Sequence, residues 1–511
     1  MLAITTYGVV KGIFDGNMKR ALFAGIPYAK PPIGELRFRA PQPPDAWMGV
    51  RDCTSFGPAA MQKKIVVPPG KRWLCYGQEN FISEETPVSE DCLYLNVWTP
   101  MHALRTEGKG SPAAKLPVLV IFHGGGFTTG AGSVPVLNGG NFSEENVVVV
   151  TVNYRLGIFG FLTHPALSKE NDEGVSGNYG ILDQIMALRW VRNNIEAFGG
   201  DPECVTIAGE SAGGGCVSVL YQSPLAKGLF QRAFAQSGAL FAGISSLVGY
   251  REVTLAGRQE QDSVSLAAIG VTTAEELRKL DAETLMKIQG AWGPNIDGWV
   301  LPGDYSAVFG THAQNDVPLL LGSNSDEGLI FTDPQIKKET FTEEMRIRYG
   351  ERGSALTELY LEDAASAAQA AAWECRERMF EHHMYIWARM QAACGLSPVW
   401  LYYFDRAVPD IGFGAFHSSA LPYFYKNQKY TDVSWEETDR ELSGKMSRYL
   451  RNFIYTGNPN EENPDLPVWQ PFSGGRDQVM ELGEHCGMIT KPHKKTMDAM
   501  TEILSIDPGL I

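Results

Sequence analysis

Five short, almost wholly apolar runs limit what this chain can fold into: Val118-Leu119-Val120-Ile121-Phe122, Val147–Val152, Val205-Thr206-Ile207-Ala208, Pro318–Leu321 and Val399–Phe404. A strand with one wet face alternates apolar and polar residues. These runs do not alternate, so each predicts a strand covered on both faces. Helical stretches lie between them. Residues 181–198 carry Ile181, Ile185, Leu188, Val191, Ile195 and Phe198 at helical spacing and stop at Gly199-Gly200. Residues 354–394 are Ala-rich and also predict helix. Strand and helix in alternation specify an α/β fold, with a mainly parallel central sheet and helices on both faces.

The rest of the chain fits around that sheet. Residues 3–24 predict short antiparallel strands, and residues 25–70, rich in Pro and Gly, an irregular surface segment. No Pro/Ser/Gly linker or solenoid period divides the 511 residues. One domain over 1–511 is expected, with 340–395 as an inserted helical layer near the site. The net charge of −15, without a Lys/Arg run, disfavours nucleic acid and anionic membranes as partners. No apolar stretch approaches the roughly 18 residues of a membrane span. Met1–Tyr7 lacks the basic and apolar regions of a signal peptide, so a cytoplasmic location and free thiols are expected for the eight cysteines. Only Cys75 and Cys92 are placed for a loop-closing bridge. In that setting the sequon Asn141-Phe142-Ser143 reads as chance.

The chemistry begins at Gly209-Glu210-Ser211-Ala212-Gly213. It follows one buried run and precedes a helix start at Cys216–Leu220. A serine on a sharp strand-to-helix turn needs small flanking residues, and Gly-x-Ser-x-Gly supplies them. Ser211 is the candidate nucleophile. His123-Gly124-Gly125-Gly126-Phe127 directly follows another run and offers backbone N–H groups to a developing oxyanion. Serine hydrolases on such a sheet place the acid and then the histidine after the serine. Six of the nine histidines follow Ser211. His312 has little chain before it for an acid. His382 and His383 fall inside a helix predicted over 370–392. His485 and His493 lie in a tail with no evident core strand before them. His417 lies in a loop 13 residues after Phe404 and is best placed to be the base. The acid belongs after Leu319-Leu320-Leu321, where Asp326 and Glu327 compete and local reasoning does not choose.

Taken together, these segments resemble the type-B carboxylesterases, the group that includes cholinesterases and bacterial para-nitrobenzyl esterases. The resemblance also runs through Phe23–Ala29, Leu36-Arg37-Phe38, Ser89–Val97, Asn153-Tyr154-Arg155, Asn178–Gln184 and Phe198–Pro202. It implies an α/β-hydrolase fold with helical insertions around the site. It implies a serine esterase acting through an acyl-enzyme on a small-molecule ester, without cofactor or metal. It selects Glu327 as the acid, supports His417, and assigns the oxyanion hole to Gly125, Gly126 and Ala212. It also implies two scaffold ion pairs, Arg37 with Glu90 and Arg155 with Asp183. Two departures stand out. Where the family carries an acid three positions after the catalytic histidine, networked with the Glu before the nucleophile (here Glu210), this chain has Ala420, and the resemblance implies that Glu210 is differently solvated. The Cys75–Cys92 segment holds no Trp to bind a quaternary ammonium, and Trp73 lies just outside it, so cholinesterase activity is not expected. Trp292 reads equally as an acyl-pocket aromatic or a packed residue. The same machinery on an amide, thioester or carbamate, and a non-catalytic adhesion relative, are the competing readings.

Overall fold

The computed structural model describes residues 1–15, 19–65, 82–104, 115–240, 253–460 and 465–504. Cys75 and Trp73 lie outside them. The central sheet has 11 strands: β1 (Ile13–Asp15), β2 (Arg20–Pro27), β3 (Tyr94–Pro100), β4 (Leu116–Phe122), β5 (Val148–Val152), β6 (Gly200–Glu210), β7 (Arg232–Gln236), β8 (Leu319–Asn324), β9 (Val399–Phe404), β10 (Gln478–Leu482) and β11 (Cys486–Thr490). Across the sheet the order is β11-β10-β9-β8-β7-β6-β4-β5-β3-β2-β1. From β5 to β10 every neighbouring pair is parallel. Antiparallel pairs flank this block on both sides. Leu2–Thr5 and Gly8–Lys11 pair antiparallel in a separate small sheet.

The unbroken apolar runs are explained by burial on two faces. Val118, Val120 and Phe122 of β4 join one apolar cluster, while Leu119 and Ile121 join another. Helices supply both layers. Helices α1 (Tyr179–Asn194) and α2 (Ala212–Gln222) pack into the first cluster. The Ala-rich region breaks into pieces after α3 (Lys338–Tyr349): α4 (Gly353–Asp363), α5 (Ala367–Arg376), a π turn over Glu377–Glu381, and α6 (His382–Cys394). The region is helical as expected, with a break at Ala364–Ser366. The Ser366 hydroxyl accepts from the Gln369 N–H and so starts a new helix. Helix α7 (Glu437–Thr456) covers the second face through Leu442, Met446, Leu450 and Phe453. Helix α8 (Lys494–Ile503) adds Met500 to a third cluster with Phe341, Met345, Leu356 and Tyr360.

Both expected scaffold pairs are present. Arg37 grips Glu90 with Nε and Nη2 at 2.6 and 2.5 Å. Arg155 reaches Asp183 through Nε, Nη2 and its own N–H at 2.8, 2.7 and 3.0 Å, and Nη1 donates to the Arg39 carbonyl. Asp183 has no exposed surface. Asp183→Ala therefore strands a buried guanidinium and should cost about 3–5 kcal/mol. The check is the urea midpoint, and a loss below about 1 kcal/mol would mean that water or another acceptor replaces the carboxylate.

The tail also differs from expectation, because β10 and β11 precede His493 and bracket His485. No helix among the described residues is long and apolar enough to cross a membrane. Among the described residues no cluster of His, Cys, Asp or Glu could hold a metal ion.

Candidate active site

In a parallel sheet, the chain segments that leave the carboxyl ends of the strands meet at one edge. Four do so here. His123 follows β4, Ser211 follows β6, Glu327 lies three residues past β8, and His417 lies in the loop after β9.

Ser211 sits at φ 58°, ψ −125°, a conformation that non-glycine residues rarely adopt. Close packing holds it there. Its N–H donates to the Gln236 carbonyl at 3.0 Å. A Cβ on Gly209 would lie 2.2 Å from the Gly213 carbonyl oxygen, and one on Gly238 would lie 1.9 Å from that of Ser211. Only glycine fits either place. Helix α2 starts at Ala212, so the Ala212 N–H is one of the first-turn donors that a helix cannot use itself.

Glu327 is fully buried. Its Oε2 lies 2.5 Å from His417 Nδ1. Its Oε1 accepts from the Asn324 N–H at 2.7 Å and from the Ser237 hydroxyl. The carboxylate thus fixes the Nδ1–H tautomer. Asp326, its competitor in the sequence, turns elsewhere. Its Oδ2 accepts from the Ala415 N–H at 3.0 Å and steadies the loop that carries His417.

The His417 ring stacks on Phe380 of the π turn at 4.2 Å between centroids, and Phe331 meets it edge-on at 5.4 Å. Its Nε2 lies 3.3 Å from Glu210 Oε1. Among the described residues no hydrogen bond joins Ser211 Oγ to His417. Burial pushes the His417 pKa down, but the negative charges of Glu210 and Glu327 outweigh it and leave the net shift upward. Burial pushes the Glu210 carboxyl up to about 7, against the pull of His417 and the Ser418 hydroxyl.

The glycine loop crosses over Ser211. A Cβ on Gly124 would stand 3.2 Å from Ser211 Cβ and 2.8 Å from the Glu210 carbonyl oxygen. Gly125 and Gly126 both have positive φ. The Gly125 carbonyl accepts from the Thr129 N–H at 3.0 Å, and the Tyr154 hydroxyl donates to the His123 carbonyl at 2.8 Å. These bonds hold the loop through its carbonyls.

Four of the other histidines that follow Ser211 are engaged away from this edge. His382 bonds Thr501 Oγ1, and burial pushes it down to about 3. His383 faces the Arg378 carbonyl, His312 the Cys394 carbonyl, and His493 the Tyr403 hydroxyl. Trp292 is buried beside Gly290 and Gly157. Cys92 is a buried free thiol. Sequence reasoning missed Ser237 and Phe380; it placed Glu210 in a network with the acid that Ala420 replaces, but did not foresee its direct approach to His417. Of the missed residues, only Ser237 carried a signal, since it directly follows β7.

This sheet, with its serine elbow and the loops at one edge, is an α/β-hydrolase fold. The profile of the Carboxylesterase family matches residues 2–500. The chain is 34% identical to the para-nitrobenzyl esterase of Bacillus subtilis (strain 168), over 92% of both chains. It is 34% identical to the fumonisin B1 esterase of Sphingopyxis macrogoltabida, over 94% of this chain and 86% of that one. A solved thermophilic para-nitrobenzyl esterase superposes with a TM-score of 0.80 at 32% identity, covering 98% of this chain and 99% of that one. The chain belongs to the carboxylesterase family, and it is a carboxylic ester hydrolase.

Proposed function

We propose that hydrolysis runs through an acyl-enzyme on Ser211, with His417 as general base and acid, Glu327 as its partner, and Gly125, Gly126 and Ala212 as oxyanion donors. His417 Nε2 takes the Ser211 proton as Oγ bonds to the ester carbon. The carbonyl π electrons move onto oxygen, where the three N–H groups hold the charge. As the carbonyl re-forms, the C–O bond to the alcohol breaks and His417 returns the proton to the leaving alkoxide. Water then repeats the sequence on the acyl-enzyme and restores Ser211. The observation that supports this most is the buried Glu327–His417 contact, set beside a serine held at positive φ.

A small to medium ester is the proposed substrate. Fumonisin B1, named for one relative, belongs among the esters to test. A cytoplasmic location is part of the same proposal, and the seven free thiols among the described residues suit a reducing compartment. A fluorophosphonate should add covalently to the peptide containing Ser211, and a series of para-nitrophenyl esters should be hydrolysed faster than matched anilides. Labelling at another residue would overturn the assignment. Equal rates on the anilides would favour the wider amide reading.

A further inference from the structure

We propose that Ser418 is a positioning residue whose hydroxyl holds the Glu210 carboxylate against the Nε2 side of His417. The inference deepens the proposed mechanism and rests on His417 being its base.

Glu210 is the last residue of β6 and is buried. One of its oxygens, Oε1, makes both contacts that matter here. It accepts from the Ser418 hydroxyl and lies 3.3 Å from His417 Nε2. Among the described residues this is the one hydrogen bond to the carboxylate. Ala420, buried three positions past His417, offers it no polar group. The other titratable groups that act on Glu210 are Glu327, whose charge opposes its ionisation, and the buried Tyr402 and Tyr425. Burial pushes both phenols up, so they stay neutral. The Ser418 hydroxyl and the His417 ring are therefore what favours the charged form of a carboxyl that burial pushes up to about 7.

The consequence falls on His417. Burial pushes its pKa down, and Glu210 and Glu327 together push it above the ordinary value. Without the Ser418 hydroxyl, Glu210 holds its proton to higher pH. His417 then loses one of its two negative neighbours and releases its own proton at lower pH. A protonated base cannot accept from Ser211, so the acid limb of kcat/KM should follow.

Ser418 has φ 68°, so glycine removes the hydroxyl without adding backbone strain. The experiment is the pH profile of kcat/KM for a para-nitrophenyl ester, measured across about pH 5 to 8. It compares the parent, Ser418→Gly, Glu210→Gln and the double variant. Both single variants should move the acid limb to lower pH by about half a unit to one unit, roughly three- to tenfold in relative rate on that limb. The double variant should move it no further than Glu210→Gln alone. An unmoved limb in Ser418→Gly, or a further shift in the double, would overturn the role of Ser418. A separate variant, His417→Gln, tests the foundation. If it keeps the parent's limb, the base lies elsewhere and the mechanism itself fails.

Discussion

Ser211→Ala should lower kcat on para-nitrophenyl esters by about 10⁴- to 10⁶-fold, while the thermal midpoint stays within a few degrees of the parent. The two halves of this expectation have different causes. On the proposed mechanism the activity falls because the covalent route disappears, and His417 and Glu327 then have no alcohol to activate. Residual hydrolysis of about 10³ over the uncatalysed rate can persist from the oxyanion donors and from binding alone. Stability changes little because the fold holds Ser211 by its backbone. Its N–H bonds the Gln236 carbonyl, and Gly238 packs against its carbonyl oxygen. Alanine meets the same strain at φ 58° that serine does. A variant within tenfold of the parent rate would place the nucleophile elsewhere.

What could be read from the sequence is what neighbouring residues specify together. β4 and β5 announce themselves because burial on both faces leaves almost no polar position in the run; the one exception, Thr151, donates its hydroxyl to the Gly132 carbonyl. The serine elbow and the glycine loop are contiguous motifs with local steric causes. The choice between Asp326 and Glu327 is not local. The two are adjacent acids past the same strand, and partners from other segments separate them. Glu327 meets the Ser237 hydroxyl after β7 and the imidazole after β9, whereas Asp326 meets the Ala415 N–H. Glu210 and Ser418 stand 208 residues apart in the chain, so no spacing rule could join them. Phe380 reaches His417 from a π turn, a local widening of the helix that an Ala-rich pattern does not reveal. β10 and β11 escaped notice because Gln478–Leu482 and Cys486–Thr490 mix polar and apolar residues at the edge of the sheet.

Glu327→Gln should lower kcat by about 10⁴-fold with little loss of stability, a larger effect than an isosteric change suggests. The reason lies on the side of Glu327 away from His417. The Asn324 N–H is a fixed donor to Oε1 at 2.7 Å and can meet only an acceptor. In glutamine the amide oxygen must therefore take that place, beside the Ser237 hydroxyl, and the NH₂ group must turn to His417 Nδ1. An NH₂ group donates, so Nδ1 becomes an acceptor and the ring proton moves to Nε2. The nitrogen that should receive the Ser211 proton then already carries one. The imidazolium formed later also loses a buried negative partner, so removing Glu327 should lower the His417 pKa. Two measurements separate these effects. The acid limb of the residual kcat/KM should move to lower pH, while the plateau should stay low at every pH, because raising the pH does not correct a tautomer. Recovery of the parent rate on the alkaline side would mean that Glu327 acts through charge alone, and that the Asn324 N–H does not dictate which way the amide turns.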